Sequence, residues 1–113
     1  MNSKIILNLR KLGFTEYEAK AYVGLLFLKE ASAREIHELT NVPRPKIYGV
    51  LDRLVKKGYV EIRGGIEDKP TLFRGIAPDE LARKLREEYL LSLNETLKEL
   101  DSMSLGLDNS CYF

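Results

Sequence analysis

Ser32 to Gly58 reads SAREIHELTNVPRPKIYGVLDRLVKKG, and the fold turns on this stretch. Ser32 followed three residues later by Glu35 is a capping box, which starts a helix over Ala33–Thr40 with Ile36 and Leu39 facing inward. Asn41 stops that helix. Val42-Pro43-Arg44-Pro45 is then a tight connection, because the fixed φ of proline suits a turn and the first turn of a helix. A second helix follows from Arg44 to Lys57, with Ile47, Val50, Leu51 and Leu54 on one side and Gly58 as its C′ residue. Two helices joined in this way make a helix-turn-helix.

The flanks complete the pattern. Upstream, Ile5, Ile6, Leu9 and Leu12 are spaced for one face of a helix that Gly13 ends. Thr15 and Glu18 form another capping box, and Phe14 before it is placed to staple the first turn. The helix they open runs from Glu16 to about Lys29. Its core stripe is Ala19, Tyr22, Val23 and Leu26, widened by Leu25, Phe27 and Leu28, which makes it the central helix. Downstream, Tyr59–Arg63 and Thr71–Ile76 read as two strands. Gly64-Gly65 and the polar run Glu67-Asp68-Lys69-Pro70 form a flexible hairpin tip between them. Pro78, Asp79 and Glu80 then open a final helix, the two acids favouring the positive end of its dipole. With no breaker before Gly106, it extends to about Met103, roughly 39 Å at 1.5 Å per residue.

The expected fold is therefore mainly α with a small β-hairpin: a winged helix-turn-helix plus a long C-terminal helix. Its parts are a DNA-binding winged domain over 1–77, a dimerisation helix over 78–105 and a frayed tail over 106–113. The 113 residues suit one domain with one appended element and leave no room for a multi-domain enzyme. The longest apolar-dominated stretch, Ala21 to Leu28, is far short of the roughly 20 residues of a membrane span. The start of the chain lacks a signal-peptide pattern, so a cytoplasmic protein with no membrane partner is expected.

The net charge is +1, from 18 Lys plus Arg against 17 Asp plus Glu, and it hides a gradient. Residues 1–33 carry +2, residues 34–77 carry +3 and residues 78–113 carry −4. The densest basic segment, Pro43–Gly64, holds Arg44, Lys46, Arg53, Lys56, Lys57 and Arg63 against Asp52 and Glu61. A basic head and an acidic tail point to nucleic acid more than the sum does.

At 100° per residue, the side of the second helix opposite Ile47, Leu51 and Leu54 carries Pro45, Lys46, Gly49, Arg53 and Lys56, with Asp52 at its edge. Cations on an outward helix face are what phosphate and guanine-edge contacts need. Arg44, at the helix start, stands where base contacts are often made, and Tyr48 on the flank can offer its hydroxyl to a phosphate. Gly49 costs about 1 kcal/mol relative to Ala in mid-helix. It marks either close approach of the backbone to DNA, a contact with another helix or a tolerated weak residue. Arg63 and Lys69 supply basic groups to the wing, against the opposing Glu67 and Asp68. With Arg34 from the third helix, the candidate DNA-binding set is Arg34, Arg44, Lys46, Tyr48, Gly49, Arg53, Lys56, Arg63 and Lys69.

Leu12 to Tyr22 (LGFTEYEAKAY), Val42 to Tyr48 (VPRPKIY) and Leu54 to Val60 (LVKKGYV) together resemble the TrmB-type sugar-responsive transcriptional regulators. The likeness runs from about Leu9 to Leu85. The resemblance implies a largely archaeal family whose winged-helix domain binds promoter DNA as a dimer. Pro45 departs from the family's usual small polar residue and removes a possible phosphate contact. Longer members carry a C-terminal effector domain that binds sugars. About 36 residues follow Ala77 here, too few to enclose a sugar, so sugar sensing is not carried over and no small-molecule site is expected within this chain.

On the long helix, Leu90, Leu93, Leu97, Leu100, Ser104 and Leu107 alternate in steps of three and four, a heptad seam of about two and a half repeats. Leu81 and Leu85 lie off the seam and should pack on the winged body. The dimerisation residues are Leu90, Leu93, Leu97 and Leu100, and the partner is a second copy. The competing reading folds the helix back over Ile5, Ile6 and Leu9 of its own chain. Two-fold symmetry would set two recognition helices one helical turn apart on a palindromic site.

Catalysis and metal chemistry find no support. One cysteine, Cys111, and one histidine, His37, exclude an internal disulfide and a structural zinc site. His37 reads as a solvated surface residue, and Cys111 lacks an activating basic neighbour. The acid pairs Asp79-Glu80 and Glu87-Glu88 are adjacent on a solvated helix rather than positioned for acid–base work. There is no glycine-rich phosphate loop or nucleophile motif. The sequence thus describes a non-enzymatic regulator with no cofactor and no metal, its partners double-stranded DNA and a second copy. The alternative is a winged-helix protein–protein interaction module in a transcription or assembly complex, since fold alone does not fix function.

Overall fold

Two helix stops explain how the N-terminal half closes on itself. At the end of α1 (Ser3–Lys11), the Gly13 and Phe14 amides donate to the carbonyls of Arg10 and Leu9, each at 3.1 Å. At the end of α4 (Arg44–Lys57), the Gly58 and Tyr59 amides donate to Val55 and Leu54, each at 3.0 Å. Both are Schellman stops with glycine at positive φ, as the sequence reading placed them. The residue after each glycine is aromatic and buried, and the Phe14 and Tyr59 rings stack at 5.3 Å. Phe14 therefore ties two helix ends together, and its ring also lies 6.0 Å from that of Tyr22 on the next helix.

The computed structural model describes residues 3–64 and 69–110, with side chains through Leu105. The remaining elements are α2 (Glu16–Leu28), β1 (Ala31–Ser32), α3 (Ala33–Thr40), β2 (Val60–Gly64), β3 (Thr71–Gly75) and α5 (Pro78–Ser110). These residues form two compact units that divide after Pro78. In the first unit, α2 packs against α1, α3 and α4, which is the central place its composition suggested. Its core joins Ala19, Ala21, Tyr22 and Leu25 of α2 to Ile36 of α3 and to Ile47, Val50, Leu51 and Leu54 of α4.

Three expectations for the core are corrected. Phe27 is 76% exposed, because the buried arc of α2 runs through Glu18, Ala21, Tyr22 and Leu25, and Phe27 points the other way. Leu39 is exposed, since α3 buries only Ala33, Ile36 and Thr40. On α1 only Ile6 is buried and Leu9 half-buried, while Ile5 and Leu12 are exposed; among the other elements of this unit α1 packs chiefly on α2, so one narrow stripe is covered.

The expected hairpin pairs β2 with β3, and β1 adds a third antiparallel strand to give the order β1-β3-β2. Ala31 pairs with Phe73 and Ser32 with Leu72 on one edge; Val60 to Gly64 pair with Gly75 to Thr71 on the other. The two residues of β1 are too few to show alternation, and Ser32 also caps α3, accepting from the Glu35 amide at 3.3 Å. Gly65, Glu67 and Asp68 of the wing tip, and Cys111, lie outside the described residues.

The long helix exceeds its expected end. It continues through Gly106 to Ser110, past the boundary set at 105, because a lone glycine costs a helix only about 1 kcal/mol and no proline follows. At 33 residues it measures about 50 Å. Leu81 is buried, Leu85 half-buried, and every side chain from Arg86 to Leu105 is exposed.

Candidate nucleic-acid interface

The turn between α3 and α4 is built from side chains that a helical-wheel reading treats as surface. Asn41 takes the left-handed conformation at φ 61°, and its amide donates to the His37 carbonyl at 2.9 Å. The Thr40 hydroxyl donates to the Ile36 carbonyl at 2.7 Å and accepts from the Val42 amide at 3.3 Å. His37 Nδ1 lies 2.6 Å from the Val42 carbonyl. A carbonyl can only accept, so the proton sits on Nδ1. His37 is therefore half-buried and locks the turn, in contrast to the solvated role expected of it.

Beyond the turn, the Lys46 and Ile47 amides donate to Pro43 O at 2.9 and 3.1 Å. The first turn of α4 has no side-chain cap and no acidic residue. Arg44, Pro45 and Lys46 are exposed there, Tyr48 and Gly49 follow on the exposed side, and Ile47, Val50, Leu51 and Leu54 are buried as the sequence indicated. α4 thus offers a first turn with positive side chains and the positive end of its dipole to the outside, which suits an anion.

The remaining candidate cations, Lys69 apart, have acidic companions. Arg34 pairs with Glu38 at 3.6 Å and Lys56 with Asp52 at 3.0 Å, both one helical turn apart and exposed. Such pairs hold a side chain loosely. Arg63 on β2 reaches Glu30 at 4.0 Å. Lys69 is exposed ahead of β3. Among the described residues, Arg44, Lys46 and Lys69 carry no ion pair.

Arg53 is different. Its Nε donates at 3.3 Å to Oε2 of Glu18, a residue of α2 that is only 1% exposed. Lys57 Nζ lies 3.2 Å from both oxygens of the same carboxylate, and the Thr15 amide donates to Oε1 at 2.9 Å. Burial pushes this carboxyl up, but the Thr15 amide, Lys57 and Arg53 together outweigh it and hold it below its usual value of 4.5. Sequence reasoning saw Glu18 only as the third residue of a capping box. The missed signal was its place on the wheel, since Ala21, Tyr22 and Leu25 follow at steps of three, four and seven, putting Glu18 on the apolar face.

Among the described residues there is no group of three or more acidic, histidine or cysteine side chains able to hold a metal, and no helix long and apolar enough to cross a membrane. The fold and this face define a winged helix-turn-helix protein. Residues 9–79 match the family model described as the sugar-specific transcriptional regulator TrmB, and the chain belongs to that family.

Relatives extend the match. The HTH-type sugar sensing transcriptional regulator TrmBL1 of Pyrococcus furiosus is 34% identical over 99 residues, which cover 88% of this chain and 28% of that protein. The DNA-binding HTH-type transcriptional repressor TrmBL2 of Thermococcus kodakarensis is 33% identical over 82 residues, or 73% of this chain and 30% of the relative. A solved structure of TrmBL2, described as an archaeal chromatin protein with a novel mode of DNA binding, superposes with a TM-score of 0.85 at 25% identity, covering 93% of this chain and 41% of that one. The chain spans under a third of the length of the two sequence relatives.

Proposed function

We propose that this chain reads duplex DNA as a homodimeric transcriptional regulator, working in the cytoplasm. The observation that carries the reading is the first turn of α4, which presents Arg44 and Lys46 beside a helix start that has no side-chain cap and no acidic residue in its first turn. A helix-turn-helix inserts this end of its second helix into the major groove. Arg44 and Lys46 would meet phosphates and base edges there, and Tyr48 would offer its hydroxyl to the backbone. Lys56 and Arg34 would exchange their surface acids for phosphates, an inexpensive exchange for solvent-exposed pairs. Arg63 and Lys69 would follow the adjacent backbone from the wing.

The second copy enters through α5. Leu90, Leu93, Leu97 and Leu100 are all exposed in the single chain and repeat at coiled-coil spacing. Pairing them would bury that seam and relate two reading heads by a two-fold axis. Sugar sensing, named for the family and for TrmBL1, has no segment assigned to it in this chain.

The test is affinity for fragments selected from random duplex DNA, measured from about 50 to 200 mM salt. The reading expects binding that falls steeply with salt and a two-fold symmetric site. Absence of binding to any duplex at about 50 mM salt, with a protein partner co-purifying instead, would move the chain to the protein-interaction class.

A further inference from the structure

Arg53 sits on the outward face of α4, yet what orients it lies inside the protein. Its Nε is held by the Glu18 carboxylate at 3.3 Å, while the side chain as a whole is 52% exposed. Its Nη1 lies over Gly49, one turn back along the helix: a Cβ built on Gly49 would stand 3.7 Å from Nη1 and within 4 Å of no other group outside its own helix backbone. The guanidinium therefore has its Nε fixed to a buried anion and its Nη1 lying alongside the helix at Gly49, where no side chain covers it. Among the described residues, those terminal nitrogens have no other hydrogen-bond partner.

Guanidinium geometry gives this arrangement a consequence. Arg presents its donors in a rigid fork, so fixing Nε fixes the direction of the other nitrogens. A fork held in place before the duplex arrives can meet guanine O6 and N7, or two phosphate oxygens, without first losing its freedom of rotation. The same carboxylate neutralises charge. It takes up Lys57 at 3.2 Å as well, so two cations at the C-terminal half of α4 are partly withheld from general attraction to phosphate.

We propose that Glu18 is a positioning residue for DNA reading: it aims the Arg53 fork along the outward face of α4 beside Gly49 and tempers the pull of Arg53 and Lys57 on any duplex, so that its loss trades specificity for indiscriminate binding. The inference rests on the proposal that the chain reads DNA. It accounts for two features at once, namely a buried carboxylate facing two cations and an arginine lying back over its own helix.

The experiment uses the full chain, its selected duplex and a scrambled duplex, with dissociation constants measured across a salt series. Glu18→Gln keeps the shape and an oxygen for the Thr15 amide but gives up the charge. The expected result is a cognate-to-scrambled ratio lower by about tenfold, the order that one bidentate base contact commands. Scrambled-duplex affinity should hold or rise, with a steeper salt dependence. A merely structural role would instead lower both affinities in parallel with the unfolding midpoint, and that result overturns the proposal. Arg53→Lys keeps a cation beside Glu18 and loses the fork, so it keeps the proposal open to refutation if Glu18→Gln does not fold. Its ratio should fall, and an unchanged ratio also overturns the proposal. If wild type binds no duplex, the DNA-reading proposal fails and this one with it; if wild type discriminates and both variants keep its ratio, only the role of Glu18 fails.

Discussion

The hydroxyl of Tyr22 donates a 2.7 Å hydrogen bond to the carbonyl of Ile76, 54 residues further along the chain. Tyr22 is 2% exposed, and the bond joins the central helix to the end of the wing. Gly75 makes room for it: a Cβ there would lie 3.3 Å from the Tyr22 ring. Removing the hydroxyl leaves a buried carbonyl without this donor, which costs about 1–3 kcal/mol. Tyr22→Phe should therefore lower the urea midpoint with no change in slope. A midpoint equal to that of wild type would show that the carbonyl finds another donor at no cost.

Glu18 gives stability a pH dependence of known sign. Its carboxyl titrates below 4.5 when folded and near 4.5 when unfolded, held down against its burial by the groups that face it, the Thr15 amide, Lys57 and Arg53. A depressed folded value means a contribution that is complete above about pH 4.5 and lost as the pH falls through the folded value. The stability gap between wild type and Glu18→Gln, followed by urea unfolding from pH 7 to pH 3, should narrow below pH 4.5. A gap constant over that range would mean that the ionised clamp contributes nothing.

Most of the fold was legible because its boundaries are set locally. Capping boxes at Thr15 and Ser32 and glycine stops at Gly13 and Gly58 act within a few residues, and the helices begin and end by them. What stayed hidden depends on contacts across the chain. β1 exists only because Phe73 and Leu72 arrive to pair with Ala31 and Ser32. His37 becomes a locking residue only once Val42 turns back to it. The candidate site shows the same division. The outward face of α4 follows from a wheel, whereas the tie from Arg53 to Glu18 spans 35 positions and follows from the packing of α2 on α4.

The first turn of α4 should dominate the salt dependence. Arg44 and Lys46 have no acidic partner among the described residues, so each phosphate they neutralise releases counterions without a competing pair. Arg44→Ala and Lys46→Ala should each flatten the plot of log affinity against log salt by about one, with little effect on stability because both are exposed. Of the two, Arg44→Ala should also relax preference at one base position. Slopes unchanged in both variants would place the DNA contact elsewhere on the chain.

The dimer makes the last prediction, and the seam decides it. Leu93 is 39% exposed and Leu97 49%, so a polar replacement at either leaves no buried cavity in the single chain. In a paired α5 the same positions would face their counterparts across the axis, where a buried charge without a partner is strongly unfavourable. Leu93→Glu with Leu97→Glu should thus convert a dimer to a monomer, read by sedimentation equilibrium over a range of concentrations, while the unfolding midpoint of the winged unit stays put. Affinity for a two-fold symmetric duplex should fall steeply and affinity for an isolated half-site should not, because the first depends on tethering two heads and the second on one head alone. A wild type that sediments as a monomer at all concentrations, or a double variant that remains dimeric, would remove α5 as the dimer interface.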